Sequence, residues 1–105
     1  MPARAARSTG AAVGSNGTII LTSDGGWIWK PANSGTKNHL AAVRFEDTRT
    51  ATAVGFYGTI LRTQDGGASW TAEPSVTPNH LVGLAVSPDG TATAVGIGGT
   101  IIRRP

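Results

Sequence analysis

Apolar and polar residues alternate along Gly58-Thr-Ile-Leu-Arg-Thr-Gln-Asp-Gly-Gly-Ala-Ser-Trp70. Ile60 and Arg62 fall on one face, Leu61 and Thr63 on the other, the spacing of a pleated strand. Asp65-Gly66-Gly67 follows with turn chemistry: a short carboxylate that can accept backbone N–H bonds, then glycines that tolerate positive φ. Trp70 opens the return strand, and its indole is large enough to cover the turn. The pattern predicts a β-hairpin.

The same run stands 41 residues earlier as Gly17-Thr-Ile-Ile-Leu-Thr-Ser-Asp-Gly-Gly-Trp-Ile-Trp29, with Thr22, Asp24, Gly25, Gly26 and Trp29 aligned to Thr63, Asp65, Gly66, Gly67 and Trp70. Gly99-Thr-Ile-Ile-Arg103 begins a third copy at the same offset. Asn38-His39-Leu40 returns as Asn79-His80-Leu81, and Thr50-Ala-Thr-Ala-Val-Gly55 as Thr91-Ala-Thr-Ala-Val-Gly96. A fixed period of this length marks a repeat architecture.

Taken in order, strands are predicted over 11–14 and 18–22, joined through Ser15-Asn16-Gly17, where Asn-Gly is a strong hairpin signal. The return strand is predicted over 27–30. The next unit gives strands over 40–45, 50–56, 59–63 and 69–72, with a turn at 46–49. Residues 40–45 are apolar almost throughout, as expected of a strand covered on both faces. The third unit gives 81–86, a turn at 87–90, then 91–97 and 100–103. No window sustains the apolar period of a helix. Residues 1–10 occupy the place of 40–45 by the repeat offset but are basic, small and aperiodic, and are predicted to be irregular. The chain therefore divides into an irregular segment, 1–10, and repeats over 11–105: a partial unit at 11–38, a full one at 39–79 and a partial one at 80–105. Four short antiparallel strands in 41 residues is the size of a propeller blade.

Composition agrees. In 105 residues, 15 glycines and an aromatic share of 6% suit short strands joined by turns. The absence of cysteine removes disulfides, thiolate catalysis and cysteine-ligated zinc. The net charge is +3, with Arg4, Arg7, Arg103 and Arg104 at the ends. No basic run is interleaved with aromatics, so a solvated surface is expected and not a nucleic-acid site. No stretch after Arg7 has the apolar length of a signal peptide, and none has that of a bilayer span, so neither a secretory leader nor membrane insertion is expected.

The pattern Thr-x-Asp-x-Gly-x-x-Trp at 22–29 and 63–70 resembles the Asp-box of the bacterial neuraminidase repeat. With Ala-Val-Gly-x-x-Gly-Thr-Ile ahead of it, the chain is most similar to propellers of the photosystem II stability and assembly factor type, and sortilin-like and xyloglucanase propellers share much of the pattern. The resemblance covers residues 11–103 and implies an all-β propeller of four-stranded antiparallel blades. It also implies that the Asp-box lies on the outer hairpin, away from the ligand face, so that Thr22, Asp24, Gly26, Trp29, Thr63, Asp65, Gly67 and Trp70 are structural. A glycosidase reading of Asp24 and Asp65 fails, because equivalent outer sites on separate blades cannot come within the roughly 10 Å that a carboxylate pair needs. The chain departs from the familiar propellers in length, since those carry six or more units.

Two and a half blades leave two broad apolar faces and open strand edges. Repeats need a neighbour or a polar cap on each side. The simplest remedy is a homo-oligomeric ring, as a trimer with two blades per chain or a dimer with three. The competing reading is a truncated or engineered segment that needs a partner chain.

His39 and His80 share one repeat position and would recur around a rim of the channel, where a metal or acidic ligand could meet them; the plainer reading is that Asn-His fixes the turn into the inner strand. Arg62 and Arg103 are equivalent and with Arg44 could form a basic patch for acidic partners, or simply a solvated surface. Trp27 replaces the aligned Ala68 and suits either a sugar or a chain–chain junction. Tyr57 and Phe56 give way to Gly98 and Ile97, so that rim varies too. There is no Ser–His–Asp order, metal-spaced histidine pair or phosphate loop; Gly96-x-Gly98-Gly99 lacks a following helix. No catalytic residue, metal or cofactor is assigned, and no enzyme is expected. The readings left are a non-catalytic, self-assembling scaffold that binds a protein partner, as the resemblance implies; a lectin binding glycans at blade junctions; and an engineered or truncated segment with no ligand.

Overall fold

Three antiparallel sheets follow one another along the chain in the computed structural model, which describes residues 2–4, 9–47, 49–75, 77–87 and 91–104. The first holds β1 (Pro2–Arg4), β2 (Gly10–Val13), β3 (Ile19–Thr22) and β4 (Lys30–Ala32); the second β5 (Leu40–Phe45), β6 (Ala51–Gly55), β7 (Ile60–Thr63) and β8 (Thr71–Ala72). The third holds β9 (Leu81–Val86), β10 (Ala92–Gly96) and β11 (Ile101–Arg104). Neighbours in sequence are neighbours in each sheet, so every sheet is a meander, the form of a propeller blade. Among the described residues there is no α-helix.

Register repeats with the sequence. Val43 faces Ala53 and Leu84 faces Ala94; Thr52 faces Arg62 and Thr93 faces Arg103. The first sheet keeps the same frame, with Pro2 opposite Ala12 and Arg4 opposite Gly10. Pro2–Arg4 is thus a strand inside the segment expected to be irregular, and the first blade has four strands. Its pairing is a backbone matter: a strand on the margin of a sheet is held by its ladder and needs no alternation of its own, and proline is tolerated at a strand's first residue. Residues 1 and 5–8 of that segment, residue 48 of the expected turn at 46–49, and residues 88–90 of the turn at 87–90 lie outside the described residues.

The return strands start later than predicted, at Lys30 and Thr71 and not at 27 and 69. The cause is the carboxylate before them. Asp24 Oδ1 accepts the N–H groups of Trp27 and Ile28, and Asp65 Oδ1 accepts that of Ser69. Those amides are drawn into the turn and are lost to the ladder.

The core lies between blades. Ala11, Val13 and Ile19 of the first meet Leu40, Val43, Ala53 and Leu61 of the second, with Leu21, Phe45 and Trp70 packed around them. One repeat on, Val54 and Ala42 meet Leu81, Leu84, Ala92 and Ala94, flanked by Ile60 and Ile102. The middle sheet is covered on both sides, which is why all five residues of β6 are buried. On the third blade the equivalents of Val54 and Ile60 are Val95 and Ile101, 42% and 71% exposed.

One close approach fixes two glycines. A bulge in the inner strand of each of blades 2 and 3 brings its first carbonyl against the end of the second strand. Phe56 N–H donates to His39 O at 2.8 Å and Ile97 N–H to His80 O at 3.1 Å. A Cβ on Gly55 would stand 2.0 Å from His39 O, and one on Gly96 2.2 Å from His80 O. Only glycine fits there.

Candidate functional site

The turns between the second and third strands, Ser15–Gly17, Phe56–Gly58 and Ile97–Gly99, gather with the approaches to the inner strands on one rim. Each is a short 310 turn closed by a threonine hydroxyl: Thr18 to Ser15 O, Thr59 to Phe56 O and Thr100 to Ile97 O, at 2.6, 2.7 and 2.8 Å. Asn38 Nδ2 donates to Thr59 Oγ1 and Asn79 Nδ2 to Thr100 Oγ1, tying each approach to the turn beside it.

The residue at the middle of each turn has positive φ: Asn16 at 58°, Tyr57 at 60° and Gly98 at 67°. Asn and Gly accept this left-handed conformation, whereas a bulky ring does so only under strain. Tyr57 is 67% exposed there, so its ring is not held by burial. What holds the turn is the next blade. Tyr57 N–H donates to His80 Nδ1 at 2.9 Å, and the phenol ring meets the imidazole edge-on at 4.9 Å. Phe56 stacks on the same imidazole at 4.1 Å and leans on His39 at 4.6 Å. His39, Phe56, His80 and Tyr57 thus form one row of rings across the junction of blades 2 and 3. Strain kept at an exposed aromatic is a mark of functional positions.

The three arginines weighed as a basic patch stand on two neighbouring blades, Arg44 and Arg62 on blade 2 and Arg103 on blade 3. Arg44, Thr52, Arg62 and Thr71 are paired in succession across blade 2 and so share a face. Arg44 Nε donates to Leu84 O of blade 3 at 3.2 Å. Arg62 Nη1 lies 3.4 Å from Glu46 Oε1, a half-buried ion pair that cancels its charge locally. Arg103 is exposed on blade 3, at the border of a cleft of about 320 Å³ that Thr52, Ile60, Leu84 and Ile102 also line. Thr52 is buried where blade 1 has Ala11, and its hydroxyl has no hydrogen-bond partner among the described residues. Nothing in its sequence context singles it out.

The opposite rim carries the aspartate turns. Thr22 Oγ1 donates to Asp24 Oδ1 at 2.8 Å and accepts Gly26 N–H at 3.0 Å; Thr63, Asp65 and Gly67 repeat this at 2.7 and 3.0 Å. Trp29 Nε1–H donates to Gly26 O and Trp70 Nε1–H to Gly67 O. The Ile28 N–H and Thr22 hydroxyl hold Asp24 below its ordinary pKa; the Ser69 hydroxyl and N–H, then the Thr63 hydroxyl, hold Asp65 well below. Such carboxylates stay ionised and act as caps. Asp47 is likewise held low by the N–H groups of Arg49 and Thr50. Trp27, at the tip of the first of these turns, is 89% exposed.

Among the described residues no group of histidine, cysteine and carboxylate side chains is arranged to hold a metal ion, and no helix is long and apolar enough to cross a membrane.

No family model matches the chain, and no curated protein matches it. Solved structures do, two of them of YCF48. One is YCF48 bound to D1 peptide, 28% identical with a TM-score of 0.86, covering 98% of this chain and 34% of that one. The other is YCF48 from Cyanidioschyzon merolae, 18% identical with a TM-score of 0.81, covering 90% of this chain and 33% of that one. The chain spans about a third of the length of each structure it matches. Its fold is a partial β-propeller, similar to the photosystem II assembly-factor type that the repeat pattern resembled.

Proposed function

We propose that this chain is a non-catalytic propeller module that binds a segment of a protein partner on the rim carrying His39, Phe56, Tyr57 and His80. The observation that carries the reading is Tyr57, an exposed ring kept in a strained backbone conformation by a histidine of the next blade. Rings already fixed in place present large contact area at little entropic cost. The likeness to YCF48 bound to D1 peptide supports a peptide as the ligand. Arg44 contributes charge on the inner strand, where its Nε donates to Leu84 O. Self-assembly belongs to the same reading: Val95 and Ile101 repeat the positions that bury Val54 and Ile60 in the preceding junction, so a further blade of this type, from a second copy, fits that face.

The test is titration with the D1 peptide, followed by calorimetry. Tyr57→Gly writes the residue that blade 3 already uses and leaves the turn intact. Binding by the wild-type chain that falls at least about tenfold in Tyr57→Gly and in His80→Ala supports the rim as the site. Equal affinity in Tyr57→Gly removes the site from this rim, and no binding by the wild type removes the D1 peptide as its ligand.

A further inference from the structure

One hydrogen bond on the rim depends on a proton being absent. Tyr57 N–H donates to His80 Nδ1 at 2.9 Å, and an imidazole nitrogen accepts only while it carries no hydrogen. This acceptor role assigns a neutral ring with its hydrogen on Nε2. A protonated ring has N–H groups at both nitrogens and would set Nδ1–H against Tyr57 N–H. His80 is half-buried, so protons reach it from water. Phe56 tolerates an imidazolium against its face, and the ring can stay stacked there by turning over, but that movement carries Nδ1 away from Tyr57. Swinging out does the same. Either way the bond is lost.

The segments on either side of the bond decide what moves. The His80 carbonyl accepts Ile97 N–H at 3.1 Å and Asn79 Nδ2 donates to Thr100 Oγ1 at 2.8 Å, which fixes the approach to β9. Phe56 N–H donates to His39 O at 2.8 Å, and Thr59 closes the turn on Phe56 O at 2.7 Å. Tyr57 stands between these anchors, exposed and at φ 60°. Blade 1 makes the same turn with Asn16 at φ 58°, and among the described residues no histidine holds its N–H. Asparagine is at ease in the left-handed region and a bulky ring is not, so the histidine bond appears where the middle residue is strained. Titratable and charged groups on the neighbouring elements are few. The turn 56–58 brings the Tyr57 phenol, while the turn 97–99 and strands β6 and β10 bring none. The approach to β5 brings His39, beyond Phe56 with 4.6 Å between those two rings, and exposed Lys37. Arg44 of β5 reaches β9 further along, at Leu84 O.

We propose that His80 is a proton-operated latch on the binding rim. Neutral, it holds the Tyr57 turn and keeps the phenol ring presented at 4.9 Å from the imidazole. Protonated, it releases the Tyr57 N–H, the residue relaxes from left-handed backbone toward negative φ, and the row of rings comes apart at its last member. The inference rests on the reading of this rim as a peptide site and adds its regulation: the ligand is held in neutral or alkaline solution and let go in acid. Histidine ordinarily takes up its proton at about pH 6.5, well above the range in which the aspartate turns of the opposite rim titrate. The two rims therefore answer to different pH.

Amide and imidazole NMR signals of the free chain, followed from about pH 8 to about pH 5, test the latch without any ligand. The Tyr57 amide signal is expected to move with the His80 imidazole at one midpoint, and its protection against hydrogen exchange to fall. In His80→Asn the side-chain Oδ1 stands where Nδ1 does and accepts the same N–H but takes up no proton, so the Tyr57 signal is expected to stay still. A Tyr57 amide that does not follow His80, or that moves equally in His80→Asn, overturns the proposal. Titration with the D1 peptide measures the consequence. Wild-type affinity is expected to fall at least about fivefold across that range, and that of His80→Asn, whatever its absolute value, to change by less than about twofold. His39→Asn is expected to keep the wild-type fall. Equal wild-type binding at both ends of the range, or a fall that persists in His80→Asn, overturns the latch. No binding even in alkaline solution overturns the reading of the rim as a site for this peptide, while the amide signals still judge the latch.

Discussion

Blades 1 and 2 have the same strand number, the same register and the same threonine–aspartate–glycine closure at Asp24 and Asp65, yet differ at each outward rim. Asn16 stands where Tyr57 is, and Trp27-Ile28 where Ala68-Ser69 is. The shared residues close turns or fill junctions, while these rim differences fall where the fold asks little of the side chain. A repeat protein supplies its own control: whatever one blade does without, the other does not need for folding.

That comparison sharpens most under core truncation. Leu61, buried between blades, is expected to cost about 3 kcal/mol when changed to alanine, whereas its counterpart Ile20, half-buried on blade 1, is expected to cost less than half as much. Urea denaturation of both variants measures the gap. The next largest contrast is steric. Gly55→Ala forces a methyl to 2.0 Å from a carbonyl and is expected to destabilise by about 2–3 kcal/mol, while the equivalent Gly14→Ala meets nothing within 4 Å and is expected to stay within about 0.5 kcal/mol of wild type. Equal effects would mean that the His39 carbonyl gives way easily.

A smaller effect, of opposite sign, is expected at the rim. Tyr57→Asn copies blade 1 and relieves left-handed strain, so it is expected to raise stability by about 0.5 kcal/mol, and the reverse change Asn16→Tyr to lower it by about 1 kcal/mol. A thermal melt that shows Tyr57→Asn strongly destabilised would make Tyr57 a structural residue. The finest contrast is in acid. Both turn carboxyls sit below their ordinary value of 3.8 when folded, so their contribution is present above that pH and is lost as the pH falls through the folded value. Asp65→Asn is expected to flatten the acid limb of melting temperature against pH more than Asp24→Asn, since the Ser69 hydroxyl adds to its hold.

Much of this fold was legible because period-two strands and Asp-Gly-Gly turns are local signals, and a repeat states them twice. The first strand was not, since Pro2–Arg4 is held by β2's ladder and shows no alternation. The return strands were placed early because nothing in Trp27-Ile28 or Ser69 reveals that a carboxylate has already taken their amides. The candidate residues were partly legible: His39, His80 and Tyr57 stood out through repeat position and its breaks. Their meeting did not, because Tyr57 and His80 are 23 residues apart in neighbouring blades. The ion pair of Arg62 was not legible either, because Glu46 reaches it from across the sheet.

The constant register has a genetic consequence. A slip of one residue in a strand would turn its apolar set outward, but an exchange between equivalent codons of two repeats adds or deletes 41 residues and leaves every remaining pairing, Val43 with Ala53 or Leu84 with Ala94, unchanged. Unequal crossing-over can therefore alter the number of blades in a single event, each product inheriting a ladder already in frame.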